Sequence, residues 1–462
     1  MLFNSYQFVL AYLPLVLAGF FILRRQRARL VLLVAASYVF YAYADRWLPI
    51  LMVGSTLISY TAGRLLDVER LSSRRKLIVG IGVAGLLSLL AYFKYAEFVA
   101  GYSASFVQLI TGTGLPGVRE FTHGILLPIG ISFYTFEGIS YVVDVYRGTI
   151  PAERDPLRYA LFISFFPHLI AGPIVRYGKL GPQLHRIYRL DPELLRSGVL
   201  LFSLGLAKKV LLADGIAHYV NPLLAAPGAL GFFTAWGAML GFAFQIYLDF
   251  SGYTDMALGL ARMFGIELPW NFDRPYRAAD PREFWRRWHV TLSTWLRDYL
   301  YIPLGGNRKG ERRRDANLLA TMGLGGLWHG ASVNFVIWGL YHGLLLTLSH
   351  HFGGAWERLG RRGAVAFTFL LVTLGWVFFR MKTFGDTLDV FVAMSGARGG
   401  RDIPGHLLLY VFVAAGLMWT TREEWQWNLP RWGMVRVAAL AALTALAVTS
   451  LDITHPFIYF KF

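Results

Sequence analysis

The sequence contains no cysteine in its 462 residues, which excludes disulfide bonds, zinc–thiolate sites, iron–sulfur clusters and cysteine nucleophiles. Charged residues are also scarce, at 16%, whereas a soluble domain averages about 25%. Hydrophobic residues make up 55% of the chain, and the mean hydropathy is +0.46. A water-soluble protein this apolar would need an implausibly large core for its surface. The composition therefore excludes an ordinary cytosolic enzyme, a disordered chain and a secreted domain.

Basic residues outnumber acidic residues by 45 to 28, which gives a net charge of +17. In a soluble protein this excess would suggest a nucleic-acid partner. Here the basic residues stand in short clusters between apolar runs, as in the cytoplasmic loops of integral membrane proteins. We therefore predict a multi-pass protein of the inner (cytoplasmic) membrane, embedded in the lipid bilayer, with no nucleic-acid partner.

The first apolar run predicts the orientation of the chain. No basic residue precedes this run, and Arg24, Arg25, Arg27 and Arg29 follow it at once. A signal peptide has the opposite order, basic and then apolar. We therefore expect a retained helix whose N-terminus is extracytoplasmic and whose arginine cluster is cytoplasmic.

Membrane segments can be assigned by length, because a spanning helix needs about 20 mostly apolar residues. The segments that qualify are 6–23, 29–44, 48–63, 77–93, 122–143, 195–216, 229–248, 250–265, 330–349, 364–380, 405–420 and 433–451. Two further stretches, 159–175 and 316–329, are too short or too interrupted to count as spans. The pattern predicts an all-α protein with about 11–13 membrane segments in one membrane domain, 1–462.

The stretch 159–175 has basic loops on both sides and is interrupted by Pro167, Gly172 and Pro173. One interpretation is a re-entrant segment, because irregular backbone at membrane depth survives only when it is buried in protein or lines a cavity. A kinked span beside a miscounted neighbour explains the pattern equally well.

The largest polar insertion, 267–317, is rich in arginine and also contains Trp270, Trp285, Trp288 and Trp295. We predict a cytoplasmic, amphipathic insertion that lies against the membrane interface. A basic surface lined with aromatic residues suits an anionic ligand such as the phosphates of coenzyme A. The alternative is an anchor for lipid headgroups.

Among the eleven histidines, His329 is the first candidate for proton chemistry. It begins a long apolar run, and an ionisable group inside a membrane is a functional hypothesis by default. Trp328 precedes it and Asn334 follows at a helical spacing. A histidine can accept a proton from a hydroxyl nucleophile near neutral pH. A structural histidine, hydrogen-bonded between helices, is the alternative.

His289 is the second candidate. Helical spacing predicts that Trp285, His289 and Ser293 share one face, with Trp288 and Trp295 on adjacent faces. The alternative is an interfacial helix with a partly buried histidine. A metal held by the two candidate histidines would lack further ligands at short spacing, so we predict no metal site.

Several long motifs resemble the membrane-bound O-acyltransferase family, in particular its bacterial branch of alginate O-acetyltransferase and teichoic-acid D-alanyl transfer proteins. The motifs are LPIGISFYTFEGISYVVDVYRG, FFPHLIAGPIVR, QIYLDFSGYTDMALGLARMFGI, NFDRPYRAADPREFWRRWHVTLSTWLRDYLYIPLGGNR and GGLWHGASVNFVIWGLYHG. The resemblance implies a ring of tilted helices around a central tunnel. It also places the family's near-invariant histidine at His329 and a second conserved polar position at His289.

The resemblance implies a membrane acyltransferase that moves an acetyl group from cytoplasmic acetyl-CoA to hydroxyls of an exported polysaccharide of the alginate or cellulose type. Transfer would be direct or through a periplasmic or extracellular serine-esterase-like partner. Acetyl-CoA would be a substrate, and no cofactor would be permanently bound. His329 would act as the general base, and His289 would orient the donor, polarise the thioester carbonyl or take part in a proton relay. The remaining residues expected at the donor site or tunnel are Trp285, Arg286, Trp288, Ser293, Trp295, Trp328 and Asn334.

Two questions stay open at this point. A covalent intermediate would need a serine or a histidine, because the chain has no cysteine. A polytopic transporter, or a scaffold subunit of a glycan-export complex, would also contain buried charges and broken segments.

Overall fold

The computed structural model describes residues 1–111, 127–185, 191–400, 402–420, 433–453, 455, 457 and 458. Within these residues every regular element is a helix and none is a strand, which confirms the predicted all-α class. The start of the predicted segment 122–143 lies outside the described residues.

The chain divides into two compact units. The first unit comprises residue 1, residues 7–191 and residues 264–268. Its helices are α1 (Leu13–Ile22), α2 (Gln26–Ala42), α3 (Leu48–Leu66), α4 (Arg75–Thr111), α5 (Ile131–Arg147), α6 (Pro156–Ser164), α7 (Phe166–Leu169) and α8 (Tyr177–Leu184).

The second unit comprises residues 2–6, 192–263 and 269–462. Its helices are α9 (Pro192–Ala207), α10 (Asp214–Ala225), α11 (Phe232–Met263), α12 (Pro281–Arg287), α13 (Val290–Leu296), α14 (Glu311–His329), α15 (Val333–His351), α16 (Gly353–Arg358), α17 (Gly360–Arg380), α18 (Phe384–Met394), α19 (Gly405–Thr420) and α20 (Met434–Thr449). A π-helical turn, Lys208–Ala213, joins α9 to α10. Both candidate histidines belong to this unit.

Two helical stretches in the described part of the chain are long and apolar enough to cross a membrane by themselves, Glu69–Thr111 and α17. Shorter apolar helices occur at Gln7–Ile22, Gly405–Trp419 and Met434–Thr449. The predicted total of 11–13 membrane segments stays a prediction.

One of the predicted segment boundaries is wrong. The segments 229–248 and 250–265 form one helix, α11, of 32 residues. Asp249 lies inside this helix, and Lys209 pairs with its carboxylate at 2.8 Å. The stretch 316–329, which the sequence did not count as a span, forms all of α14 except its first five residues.

The broken stretch 159–175 is buried almost throughout. It consists of the end of α6, the single turn α7 and irregular backbone. Glu137 on α5 contacts this stretch at two points. One oxygen of its carboxylate lies 3.0 Å from His168 Nδ1 and accepts a hydrogen bond from Val175 N at 3.0 Å. Burial in protein is the condition that irregular backbone needs at membrane depth. The path of this stretch through the membrane stays a prediction.

Helices α14 and α15 pack with their backbones in contact. A Cβ atom added at Gly326 would lie 2.1 Å from Phe335 O, and one added at Gly339 would lie 2.2 Å from Met322 O. Such distances are far inside van der Waals contact, so only glycine permits this approach.

We expect Gly326→Ala to destabilise the protein, because neither backbone can move without displacing its helix. Overpacking typically costs about 1–3 kcal/mol. The midpoint of thermal unfolding in detergent should fall clearly. Gly80→Ala is the matched control, since a Cβ there would meet nothing within 4 Å, and its midpoint should match that of the wild type. Equal midpoints for the two variants would contradict the close packing of α14 and α15.

Candidate active site

His289 lies at a break between helices, not within one. α12 ends at Arg287 and α13 begins at Val290, and the φ of His289 is +43°. The prediction that Trp285, His289 and Ser293 share one helical face is therefore wrong in its geometry. Asn271 stabilises the break, because its backbone carbonyl accepts from Val290 N at 3.0 Å and its side chain from the Thr291 hydroxyl at 2.6 Å. A non-glycine residue in the left-handed region is a strained feature that its surroundings must hold in place.

The side chain of His289 is fully buried, so it is not the partly buried residue of an interfacial helix. Its ring makes edge contacts with Phe250, at 4.8 Å between ring centroids, and with Trp328, at 6.4 Å. This part of the insertion 267–317 packs into the second unit and does not lie on its surface.

His329 is the last residue of α14 and is buried, with 6% of its surface exposed. Three aromatic rings stand edge-on to its imidazole: Trp328 at 4.9 Å, Trp338 at 5.1 Å and Phe379 at 5.4 Å. Trp328 therefore contacts both candidate histidines. Among the described residues no three His, Cys, Asp or Glu side chains are grouped as metal ligands.

A first cavity of about 420 Å³, which we call the Arg286 cavity, lies beside α12 and α13. It is lined by Arg282, Trp285, Arg286, Ser293, Leu296, Arg297, Tyr301, Asn307, Leu318, Thr321, Met322, Leu346 and His350. Three residues predicted for the donor site, Trp285, Arg286 and Ser293, therefore meet at one cavity. Five further lining residues are brought in by α14 and α15, namely Leu318, Thr321, Met322, Leu346 and His350, and no spacing pattern in the sequence could have identified them.

The Arg286 cavity is cationic. Arg282 pairs with Asp280 at 3.3 Å, and Arg297 pairs with Asp298 at 2.7 Å. The hydrogen bond to Asp298 raises the pKa of the Arg297 guanidinium, so that side chain stays charged. Arg286 is exposed and has no acidic partner in the part of the chain that the structure describes.

A second cavity of about 340 Å³, which we call the Arg380 cavity, adjoins His329. Its lining residues are Asn221, Phe242, Gln245, Gly330, Ala331, Ser332, Phe335, Phe379, Arg380, Met381, Lys382 and Ile458. Gly330 follows His329 in the chain, and Phe379 contacts the imidazole ring. Sequence reasoning missed this cavity. The one available signal was the pair of basic residues at the end of the apolar segment 364–380, Arg380 as its last residue and Lys382 two positions later.

The two cavities lie at opposite ends of α15. Ser332 and Phe335, at its start, line the Arg380 cavity, whereas Leu346 and His350, near its end, line the Arg286 cavity. At 1.5 Å per residue, Phe335 and Leu346 are separated by about 16 Å along the helix axis.

Trp338 occupies the part of α15 between the two cavities. Its ring contacts Trp285 at 5.8 Å, on the side of the Arg286 cavity, and His329 at 5.1 Å, on the side of the Arg380 cavity. A row of aromatic rings therefore connects the two cavities and includes the imidazole of His329.

Like Trp328, three other predicted residues stand outside the linings of these two cavities. Trp288 packs against Trp376 at 5.0 Å, and Trp295 packs against Tyr299 at 5.2 Å. Asn334 is buried, and its amide nitrogen lies 2.9 Å from Met381 O and within 3.1 Å of Thr387 Oγ1. Asn334 therefore fixes the backbone that follows Arg380, and its predicted place along a tunnel stays a prediction.

A buried cluster of charged residues binds His455 and Ile458 to this unit. Lys209 Nζ lies 2.6 Å from Asp214 and 2.8 Å from Asp249, and it also donates to His455 O at 3.0 Å. The other oxygen of Asp249 accepts from Ile458 N at 2.7 Å. Since Ile458 lines the Arg380 cavity, the Lys209 cluster holds one wall of that cavity in place.

Comparison with known proteins identifies relatives that align with most of the chain. Residues 150–358 match the model of the MBOAT, membrane-bound O-acyltransferase, family. The probable alginate O-acetylase of Pseudomonas putida is 44% identical over 404 residues, which is 86% of this chain and 80% of that protein. The peptidoglycan O-acetyltransferase of Helicobacter pylori is 37% identical over 435 residues, which is again 86% of this chain and 80% of that protein. The teichoic acid D-alanyltransferase of Bacillus subtilis is 28% identical over 281 residues, 57% of this chain and 71% of that protein.

Proposed function

This chain belongs to the membrane-bound O-acyltransferase family, and on that premise we propose that it moves an acetyl group from cytoplasmic acetyl-CoA to a hydroxyl of an exported polysaccharide. The donor binds at the Arg286 cavity and the acceptor enters at the Arg380 cavity. Two relatives that align with 86% of this chain are named for O-acetylation, one of alginate and one of peptidoglycan. Their names support an acetyl donor and a glycan acceptor.

The observation that carries the proposal is the position of His329 between two cavities at opposite ends of one helix. A polar thioester from one compartment and a hydroxyl from the other must meet inside the protein, and a buried imidazole can serve as the base for that meeting. His329 contacts Phe379, which lines the Arg380 cavity, and is linked to the Arg286 cavity through the rings of Trp338 and Trp285. The guanidinium of Arg286 suits the phosphates of coenzyme A. The positive-inside pattern assigns the insertion 267–317, which supplies Arg286, to the cytoplasmic side.

The reaction divides between the two histidines. The oxygen of the acceptor hydroxyl bonds to the acetyl carbonyl carbon while His329 accepts the proton of that hydroxyl. The carbon–sulfur bond then breaks, and the coenzyme A thiolate takes the proton back from His329. His289 acts through Trp328, which contacts both imidazoles, and orients the thioester. The surrounding aromatic rings exclude water and so protect the thioester from hydrolysis.

The acceptor hydroxyl belongs to the polysaccharide itself or to a serine-esterase-like partner outside the cytoplasm that passes the acetyl group on. Direct attack needs no acyl-enzyme. An acyl-enzyme would have to form on a serine or histidine of this chain, and Ser293 is the serine that lines the Arg286 cavity.

Reconstituted vesicles test this function against its two competitors. With radiolabelled acetyl-CoA on the Arg286 side only, we expect free coenzyme A on that side and labelled ester on a glycan enclosed on the other. Transport of intact acetyl-CoA would identify a transporter. A scaffold would neither release coenzyme A nor transport acetyl-CoA. Acetylation would then depend only on the presence of the protein in a complex.

Arg286→Ala should raise the KM for acetyl-CoA about tenfold and leave kcat nearly unchanged, because a charge-assisted contact to a phosphate is lost from ground state and transition state alike. Steady-state kinetics at constant ionic strength measure KM and kcat separately. Arg312→Ala is the matched control, since Arg312 is exposed and does not line the cavity. An equal rise in KM for both variants would show that overall charge, and not the Arg286 cavity, attracts the donor.

A further inference from the structure

A third cavity, of about 330 Å³, shares no lining residue with the two cavities described above, and we call it the Leu417 cavity. Its walls come from the end of α9, the π-helical turn that follows it, α11, α19 and α20. Every lining residue in the described part of the chain is Ala, Leu, Val or Met, except Lys208 and Tyr247. Lys208 is neutralised, because its ammonium lies 2.7 Å from the buried carboxylate of Asp255. The cavity therefore suits a hydrocarbon ligand and not a charged one.

The Leu417 cavity opens on an exposed, apolar part of the surface. Its rim includes Val413 and Leu417 on α19 and Leu443 on α20, which are between 40% and 46% exposed. Phe412 and Leu446, on the same two helices, are more than half exposed. A soluble protein rarely exposes so much contiguous apolar surface. Because this chain belongs to a membrane protein family, these helices contact the hydrocarbon of the bilayer, and the cavity opens to lipid acyl chains.

The cavity exists because its two outer helices pack on different partners. α19 packs mainly on α10 and α11, whereas α20 packs mainly on α9. An empty gap between them would forfeit the dispersion contacts of its lining. Water does not fill such a gap well, because a buried water needs several polar partners. An acyl chain from the surrounding bilayer restores these contacts without any hydrogen bond.

We propose that the Leu417 cavity binds one acyl chain of a membrane phospholipid. The chain enters between α19 and α20 and lies against the π-helical turn and Tyr247. Because the one cation of the lining is already paired with Asp255, the site selects the acyl chain and not the charge of the headgroup. This site does not depend on the proposed acetyl transfer.

The bound chain is a structural ligand of the second unit. Tyr247 is buried, and its ring contacts Phe272 at 5.8 Å and Trp288 at 6.4 Å between centroids. Trp288 directly precedes His289 in the chain. π-helical turns are also frequent at functional sites. The acyl chain therefore supports, through Tyr247, the aromatic packing next to His289, and its removal should destabilise the protein.

Photolabelling of the full-length protein in detergent tests the binding site. The probe is a phosphatidylcholine with a diazirine in one acyl chain, and mass spectrometry locates the labelled peptides. Labelling of residues 204–212, 413–418 and 443 should saturate as the probe is increased. Labelling of the exposed Leu77 and Ile81 on α4 should rise in proportion to the probe, as for bulk lipid. Proportional labelling at the Leu417 cavity as well would overturn the proposal.

Competition identifies the part of the lipid that is bound. Unlabelled phosphatidylcholine and phosphatidylglycerol with the same chains should displace the probe equally, whereas glycerophosphocholine, which has no chains, should not displace it. Displacement by glycerophosphocholine, or by one of the two phospholipids only, would overturn the selection of the chain.

Two tryptophan variants show whether the Leu417 cavity causes the saturable labelling. Leu443→Trp places a bulky ring at the cavity mouth and should weaken binding about tenfold, since exclusion of about two methylene groups from an apolar site has that effect. Leu446→Trp, three residues later and outside the lining, is the matched control and should bind as the wild type does. Both positions are exposed, so neither ring has to fit into the core. Unchanged binding by Leu443→Trp would overturn the assignment.

Thermal unfolding of the delipidated protein tests the structural role. Added phosphatidylcholine should raise the midpoint of the wild type and of Leu446→Trp by a few degrees, and that of Leu443→Trp by much less. No rise in the wild type would overturn this role.

A second copy of the chain is the competing occupant of the Leu417 cavity. The chain has no cysteine, so Leu443→Cys can form a disulfide only with another copy. A Leu443→Cys protein that stays monomeric under oxidation would support the lipid. A disulfide-linked dimer of Leu443→Cys but not of Leu446→Cys would assign the cavity to a second copy and overturn the lipid.

Discussion

His329→Ala is expected to lower the rate of acetyl transfer by about 100- to 10,000-fold, the range over which a positioned general base contributes. The loss should appear in kcat, because the imidazole acts in the transition state and lies away from the Arg286 cavity that binds the donor. The acetyl content of the exported polymer and the initial rate of coenzyme A release measure it. The KM for acetyl-CoA should change little.

Two histidine variants accompany this measurement. His218 is exposed on α10, so His218→Ala should retain the wild-type rate and controls for the loss of an imidazole. His289→Ala should lower the rate at unchanged donor affinity. Normal polymer acetylation by a His329→Ala protein that is present at the wild-type level would remove the central role of this residue and the mechanism built on it.

Lys209→Met is expected to produce the largest loss of stability. It would leave the carboxylates of Asp214 and Asp249 buried together without a cation, and removal of one partner from a buried ion pair typically costs about 3–5 kcal/mol. The midpoint of thermal unfolding in detergent should fall sharply. The segment from His455 to Ile458 should also become more accessible to proteolysis, because Lys209 and Asp249 hold it.

A charge-neutral replacement of the whole cluster distinguishes pairing from packing. Lys209→Met combined with Asp214→Asn and Asp249→Asn should recover most of the lost stability, since no charge is left buried. Lys309→Met is the exposed control and should melt as the wild type does. If the triple variant were as unstable as Lys209→Met alone, the shape of the lysine side chain and not its charge would explain the loss.

The family and the all-α class could be determined from the sequence because both depend on patterns along the chain. Composition, apolar runs and basic clusters are local quantities, and long motifs such as GGLWHGASVNFVIWGLYHG survive as contiguous strings. The burial of His329 was predictable for the same reason, since it stands within an apolar run. The predictions that were wrong, α11 as two segments and His289 on a continuous helix face, concern places where a distant residue overrides the local pattern.

The distant residues in question can be named. Lys209 pairs with Asp249 inside α11, whereas Asn271 accepts hydrogen bonds from the backbone and side chain that follow the break at His289. Hydrophobic periodicity carries no information about such pairs, because their members are separated by many residues and meet only after packing.

The sequence alone therefore determined that this is a helical membrane protein of the O-acyltransferase family and that His329 and His289 are its candidate catalytic residues. Only the tertiary structure decided that two cavities lie at opposite ends of α15, with Trp338 and His329 between them. The physical reason is that a cavity is the space left between packed elements. Its lining joins residues as far apart as Asn221 and Ile458, which no period or motif along the chain relates.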